Sequence, residues 1–254
     1  NLIKVYLDTQ ASYISQIDST YTYGNLAIGT YALSQPAQFD MVTSQATKYD
    51  NFSQMPVTPF TPRNDGGNWQ VVADDMENYI YQQSVKDGNT HIAVLNNETI
   101  QNGTIEAKFK LQYDGDENAL VYFRMDGSNN GYATRARRVN NDAYIYLYTV
   151  SNYSLNQQIG DAVKLTNFFL NDNGAWHTLK VELNNEYMDI YLDDQTTYLA
   201  QKHSSYTSGG VAIGTYALNY TAYFDDIVIT DVPLDDNLIQ LPMPFTSRAD
   251  GGNW

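Results

Sequence analysis

The chain has no cysteine, which excludes a disulfide framework, thiolate metal ligation and a cysteine nucleophile. Positive charge is scarce: 14 Lys and Arg stand against 29 Asp and Glu, a net charge of -15. A chain so acidic lacks the basic surface that nucleic acid demands, and anionic lipid repels it for the same reason. The three histidines, His91, His177 and His203, show no metal-binding spacing. No apolar run approaches the roughly 18 residues of a membrane span. There is no leader-like segment and no initiating Met, and Asn1 opens on a strand-like pattern, so the sequence reads as a piece of a longer one.

Tyrosine, in contrast, is abundant, with 22 copies, and 16 glycines punctuate the chain. Few charges with many Tyr, Thr and Asn is the profile of an all-β protein of the cell exterior. Strand-like alternation runs nearly throughout. Over 119–125, Val121, Phe123 and Met125 fall on one face and Tyr122 and Arg124 on the other. Over 143–149, Ile145 and Leu147 oppose Tyr144, Tyr146 and Tyr148. The runs 176–183 and 187–193 flank Asn184-Asn185-Glu186, a tight hairpin. Many short strands with regular turns predict an antiparallel two-sheet sandwich.

A duplication sets the organisation. AIGTYAL occurs at 27–33 and 212–218, DGGNW at 65–69 and 250–254, and YLD at 6–8 and 191–193, all offset by 185 residues. Residues 1–69 align with 186–254 without a gap, and 30 of the 69 positions are identical. The chain therefore divides into the end of one copy (1–47), a Pro-bearing linker (48–59), one complete copy (60–231), a second linker (232–244) and the start of a third copy (245–254).

Four stretches of the complete copy carry a family resemblance: WQVVADDMENYIYQQ (69–83), GTIEAKFKL (103–111), VYFRMDGSNNGYATRAR (121–137), and WHTLKVELNNEYMDIYLD (176–193) with GGVAIGTYALNYTAYFDDIVI (209–229). Together they resemble the laminin-G-like, concanavalin-like jelly-roll modules that occur as tandem repeats in microbial surface proteins and as carbohydrate-binding modules. The resemblance implies an all-β, antiparallel jelly-roll sandwich in tandem arrangement. It also implies one structural calcium ion per repeat near the closing strand, held by Asp225 or Asp226 with Asp65 or Asn64 from the opening segment. Hard oxygen ligands of this type suit calcium. Catalytic sandwiches of this shape place an E-x-D-x-x-E pattern on one strand. None of the six glutamates (Glu77, Glu98, Glu106, Glu117, Glu182 and Glu186) sits in such a pattern, so no enzyme activity is expected.

The leading expectation is a non-catalytic, extracellular or cell-surface repeat of a stalk, adhesin or filament, whose partners are neighbouring copies of itself. The alternative is a carbohydrate-binding module, and a polysaccharide hydrolase or lyase domain stands third. For the alternative, with a polysaccharide as partner, the outward set Tyr122, Arg124, Tyr132, Arg135, Arg137 and Tyr146 supplies aromatic faces and planar hydrogen-bonding groups. The competing reading of that set is cross-strand tyrosine pairing that only stiffens a sheet.

Overall fold

The computed structural model describes residues 2–5, 14–17, 46–50, 59–73, 79–96, 98–111, 116–172, 174–193, 195 and 198–231, the first three segments by backbone alone. Both the 232–244 linker and the 245–254 segment lie outside the described residues, as does most of 1–47. The described strands are β1 (Leu2–Val5), β2 (Ile14–Ile17), β3 (Ala46–Asp50), β4 (Phe60–Pro62), β5 (Trp69–Ala73), β6 (Tyr79–Gln83), β7 (Thr90–Leu95), β8 (Gly103–Leu111), β9 (Asp116–Met125), β10 (Gly131–Val139), β11 (Asp142–Ser151), β12 (Ser154–Gln158), β13 (Val163–Leu165), β14 (His177–Asn184), β15 (Tyr187–Leu192), β16 (Leu199–Lys202), β17 (Gly210–Tyr216) and β18 (Ala222–Asp231). There is no helix among the described residues. The all-β expectation holds.

Two eight-stranded sheets make the sandwich. The first runs β12-β11-β10-β9-β17-β7-β4, with β13 also on β11. The second runs β16-β15-β14-β8-β18-β6-β5, with β3 also on β18. All pairings are antiparallel, and sequence-distant strands such as β9 and β17 lie side by side, the Greek-key crossing of a jelly roll. β8 and β14 alternate buried and half-buried residues, one face packed and one face wet. Their inward residues Ile105, Ala107, Phe109, Leu179 and Val181 meet Val121, Phe123, Ile145 and Leu147 of the first sheet in one core. As expected, the tight hairpin joins β14 to β15, and Asn185 adopts the left-handed conformation its turn requires (φ 53°).

In β9 the alternation expected through Met125 breaks one residue early. Arg124 has φ 51°, which turns the strand, so Met125 joins Tyr122 in a second, outer apolar cluster while Arg124 leaves that face. Nearly every residue of β9 is buried, on both faces. The outer cluster (Ile92, Leu120, Tyr122, Met125, Ala133, Val150, Tyr153 and Ala212) is the reason.

Two backbone features bear on the duplication. β1 pairs with β2 in the register Leu2↔Ile17 and Val5↔Ile14. β15 pairs with β16 as Tyr187↔Lys202 and Ile190↔Leu199, the same register moved by the 185-residue period. Secondly, Ala46–Asp50 pairs with Ile227–Asp231 of β18. The boundary expected between residues 47 and 48 thus falls inside a strand of the second sheet, because the free edge of β18 beyond its pairing with β6 accepts this backbone.

Trp69 anchors the opening segment. Its ring stacks on Tyr81 at 5.0 Å and lies 5.8 Å from Phe224, tying β5, β6 and β18 together. Trp69→Ala is expected to cost about 3–5 kcal/mol in urea unfolding, as large-to-small core substitutions do. Tyr187→Ala, on a side chain 55% exposed, is expected to stay within about 0.5 kcal/mol.

Candidate functional site

The site is built on the outer face of the first sheet. β10 sits between β9 and β11 with Arg135 opposite Leu120 on one side and Tyr146 on the other. Its neighbours Ala133 and Arg137 face Tyr148 and Tyr144 across β11. Period-2 alternation therefore puts Leu120, Tyr122, Arg135, Arg137 and the tyrosines of β11 on one surface. Tyr144, Tyr146 and Tyr148 form a ladder, with successive ring centroids 6.3 and 6.0 Å apart and nearly parallel planes.

Arg135 is set among three rings. Its guanidinium lies 4.7 Å from the centroid of Tyr146, 5.5 Å from Tyr216 and 5.9 Å from Tyr148. On the β4 side, the Arg63 guanidinium lies 4.2 Å over the ring of Tyr153. Tyr153 in turn meets Tyr122 edge-on at 6.1 Å. Arg63, Arg135, Tyr148, Tyr153 and Tyr216, with Asp65 and Asn89, line an open cavity of about 570 Å³, a size that holds small ligands and sugar units; Tyr146 flanks it through Arg135 and Tyr122 lies beneath Tyr153. Gly214 makes the floor possible: a Cβ there would stand 3.0 Å from the Tyr122 ring and 3.1 Å from the His91 carbonyl.

The polar groups fall into two classes. Asp65 is fully engaged: Oδ1 accepts from Gly67 N at 3.1 Å, Oδ2 from Ile92 N at 2.9 Å, and His91 Nδ1 lies 3.3 Å away. His91 is buried between Asp65 and Asp87. Three buried polar atoms of the same face have no hydrogen-bond partner: Arg135 Nε, Tyr122 Oη and Asn118 Oδ1. Burial raises the Tyr148 phenol above its ordinary pKa, an effect that Arg135 partly reverses.

Of the sequence-derived sugar set, Tyr122, Arg135, Arg137 and Tyr146 share this face, and two members do not. Tyr132 pairs with Phe123 and points into the core, where its hydroxyl meets His203 Nδ1 at 2.7 Å and accepts from Tyr206 N at 3.1 Å. Arg124 is buried and donates to the carbonyls of Gln101 and Tyr206, a consequence of its left-handed backbone. Tyr122 is fully buried beneath Tyr153 rather than outward. Arg137 is bound by both oxygens of Asp116 and reaches the Tyr146 hydroxyl at 3.4 Å, which places it at the rim as a structural pair. That contact holds the Asp116 carboxyl below its usual range. Tyr153, Arg63 and Tyr216 escaped the sequence reading. Their one signal was the recurrence of Arg63 as Arg248 and of Tyr216 as Tyr31.

The four residues expected to hold calcium are divided. Asn64 is exposed and Asp65 is bound to β7 of the first sheet. Asp225 and Asp226 lie on β18 of the second sheet, where Asp225 accepts from Asp226 N and Asp226 Oδ2 meets Lys108 Nζ at 2.5 Å. Among the described residues no three His, Asp or Glu side chains form a metal-holding group.

A second cavity, of about 520 Å³, is lined by Lys164, Asn167, Phe168, His177 and Asp193. Its charges are already matched: Lys164 with Asp142, His177 with Asp193 at 2.9 Å, and Arg138 behind them with Asp172 at 2.8 Å. Of these two, the first cavity alone presents cations that form no ion pair with a described carboxylate.

Two described carboxyls have the raised pKa that general acids need: Asp189, lifted by burial and by the nearby Glu182, on β15 of the second sheet, and Glu117. Burial lifts Glu117, while backbone N–H groups of Asn219 and Tyr220 donate to its Oε1 and pull the other way. It sits on the core side of β9, level with Ala119 and Val121, away from the cavity.

No protein-family model matches the sequence, and no curated protein matches it. Solved structures share the fold. A carbohydrate-binding module, CBM66, from Bacillus subtilis is 19% identical with a TM-score of 0.51, over 68% of this chain and 96% of that one. A Bacillus subtilis protein with a galectin-like fold is 12% identical with a TM-score of 0.51, over 75% and 99%. A β-glucanase from Bacillus licheniformis is 12% identical with a TM-score of 0.50, over 72% and 97%. At these identities the likeness establishes a concanavalin-like jelly-roll fold.

The Glu117 environment yields a pH-dependent expectation. Its folded pKa lies above the ordinary 4.5, so the folded state keeps the proton to higher pH than the unfolded chain. The native protein therefore loses stability from this group as pH rises from about 4.5 through the folded value, and loses no more above it. In urea melts, the stability of Glu117→Gln relative to the native protein should increase from pH 4 to about pH 7. A difference independent of pH, or one of opposite slope, would refute this account of the group.

Proposed function

We propose that the chain is a non-catalytic carbohydrate-binding module, of laminin-G-like kind, that holds a glycan on the outer face of the first sheet. The observation that carries this reading is the placement of Arg135 among Tyr146, Tyr148 and Tyr216, beside Arg63 on Tyr153, in one open cavity. Sugar rings stack C–H groups on aromatic faces and take hydrogen bonds at their hydroxyls from planar donors. Both elements converge here. Proteins sharing this fold include a binding module and a glucanase, so the choice between binding and catalysis rests on side chains. Asp65 is the only carboxylate among the described lining residues, and backbone amides occupy both its oxygens. Glycoside hydrolysis needs two carboxyl groups across the bond.

A second reading, compatible with the first, is that the module works in a head-to-tail array on a cell surface or in an extracellular filament. What favours it is the pairing of β3 with β18. By the 185-residue period, Ala46 is the equivalent of Asp231, the last residue of the closing strand. A chain leaving one copy would thus enter the sheet of the next with no slack, which stiffens a fibre.

Two experiments test these readings. Tyr148→Ala should weaken binding on a glycan array by about 0.5–1.5 kcal/mol, the worth of one aromatic contact, with the melting temperature little changed. An array with no hit for the native chain would end the carbohydrate reading. For the array role, amides of 46–50 should exchange as slowly as those of 227–231 in hydrogen exchange of the whole chain. Exchange of 46–50 at free-chain rates would remove its support.

A further inference from the structure

Resting on the carbohydrate reading, we infer that the glycan is anionic, and that Arg135 and Arg63 receive a carboxylate or sulfate oxyanion borne by a sugar ring. The chain carries net charge -15, so each cation has an ample choice of carboxylates. The other described arginines take fixed partners. Arg124 donates to backbone carbonyls, Arg137 is clasped by Asp116, and Arg138 pairs with Asp172. Arg63 and Arg135 form no ion pair with any described residue, and both line the same cavity.

Burial sharpens the point. Arg135 is only 9% exposed, and a buried charge without a counter-charge is costly. Tyrosine faces offset part of that cost, yet its Nε–H donor remains without an acceptor. A guanidinium presents donors in a planar fork that matches two oxygens of a carboxylate or sulfate. The only acid among the described lining residues, Asp65, is held by Gly67 N, Ile92 N and His91, and Asp116 is committed to Arg137. The described lining, with Arg63 and Arg135 against Asp65, therefore keeps a net positive charge on an acidic molecule, a local attraction for an anion.

The duplication adds an independent line. Three cavity residues fall in the part of the chain that occurs twice: Arg63, Asp65 and Tyr216. All three recur, as Arg248, Asp250 and Tyr31, although 39 of the 69 aligned positions differ, 69 minus the 30 that match. Core positions such as Phe60 and Trp69 recur for packing, as Phe245 and Trp254. Arg63 is half-buried and outside the core clusters, so packing of the sandwich does not account for its recurrence.

The test uses the whole 254-residue chain in affinity electrophoresis and calorimetry with three probes: polygalacturonate, dextran sulfate and uncharged dextran. Binding to polygalacturonate assigns a uronate, and binding to dextran sulfate alone assigns a sulfate ester. Either should weaken at least tenfold in Arg135→Gln and Arg63→Gln, and progressively with added salt. Arg135→Lys, which keeps the charge and loses the fork, should fall between, and Lys202→Gln on the other sheet should bind as the native chain does. Thermal melts of each variant separate lost binding from lost folding, and the Arg63 variant keeps the test open if Arg135→Gln does not fold. Binding of dextran as tight as that of the acidic polymers, unaffected by either arginine variant, overturns the anionic inference and leaves the carbohydrate reading standing. No binding to these probes or to any glycan on the array overturns both.

Discussion

The register of β10 between β9 and β11 is the constraint on which the rest depends. With Arg135 opposite Leu120 and Tyr146, and Ala136 opposite Ala119 and Ile145, the strand serves two surfaces at once. Its inward residues close the core, and its outward residues make the cavity. A one-residue slip would carry a guanidinium into the sandwich and an alanine to the tyrosine ladder. The two faces therefore enforce one another: the apolar core fixes the register, and the register places the cation. Arg124 and Met125 show the limit of the rule. A single residue with positive φ reverses the order of faces at the strand's end.

Covering that outer face changes the energetics of the first sheet. Most sandwich strands show one wet face, as β8 does, whereas β9 is dry on both. Tyr122 lies flat over Gly214, Tyr153 closes over Tyr122, and Arg63 closes over Tyr153. The small apolar cluster so formed lowers the local dielectric around Arg135 and Arg63. Electrostatic contacts made there are stronger than on open surface. The same arrangement separates this cavity from the one at His177, whose charges are internally compensated.

At the second sheet the decisive feature is an edge. β18 has β8 along one side, but β6 reaches only Ala222–Phe224 on the other. The bulge between Asp225 and Val228 leaves Ile227–Asp231 as a separate edge, and β3 fills it. Exposed edges recruit other strands, and the backbone of Ala46–Asp50 covers this one.

Much of this was legible in the sequence. Alternation in 143–149 marked Ile145 and Leu147 as core and the tyrosines of β11 as outward, because a pleated strand can do little else with that pattern. The Asn184-Asn185 turn announced its hairpin, and the 185-residue period reappears in the identical registers of β1–β2 and β15–β16. What the sequence could not decide was which outward residues meet. Arg124 carries the same chemistry as Arg135 and a positive φ sends it elsewhere, whereas Tyr132, three residues from Arg135 on the same strand, faces the core with Phe123 by alternation. Arg63, Tyr153 and Tyr216 come from the residue after β4, the β11–β12 turn and β17, brought together by antiparallel pairing across more than 150 residues of chain. Asp65 is bound to β7 in one sheet and Asp225 lies on β18 in the other, a placement that strand order alone decides. Side-chain alternation is a local property and the sequence determined it; the convergence of charges depends on strand order, which only the folded sheets decided.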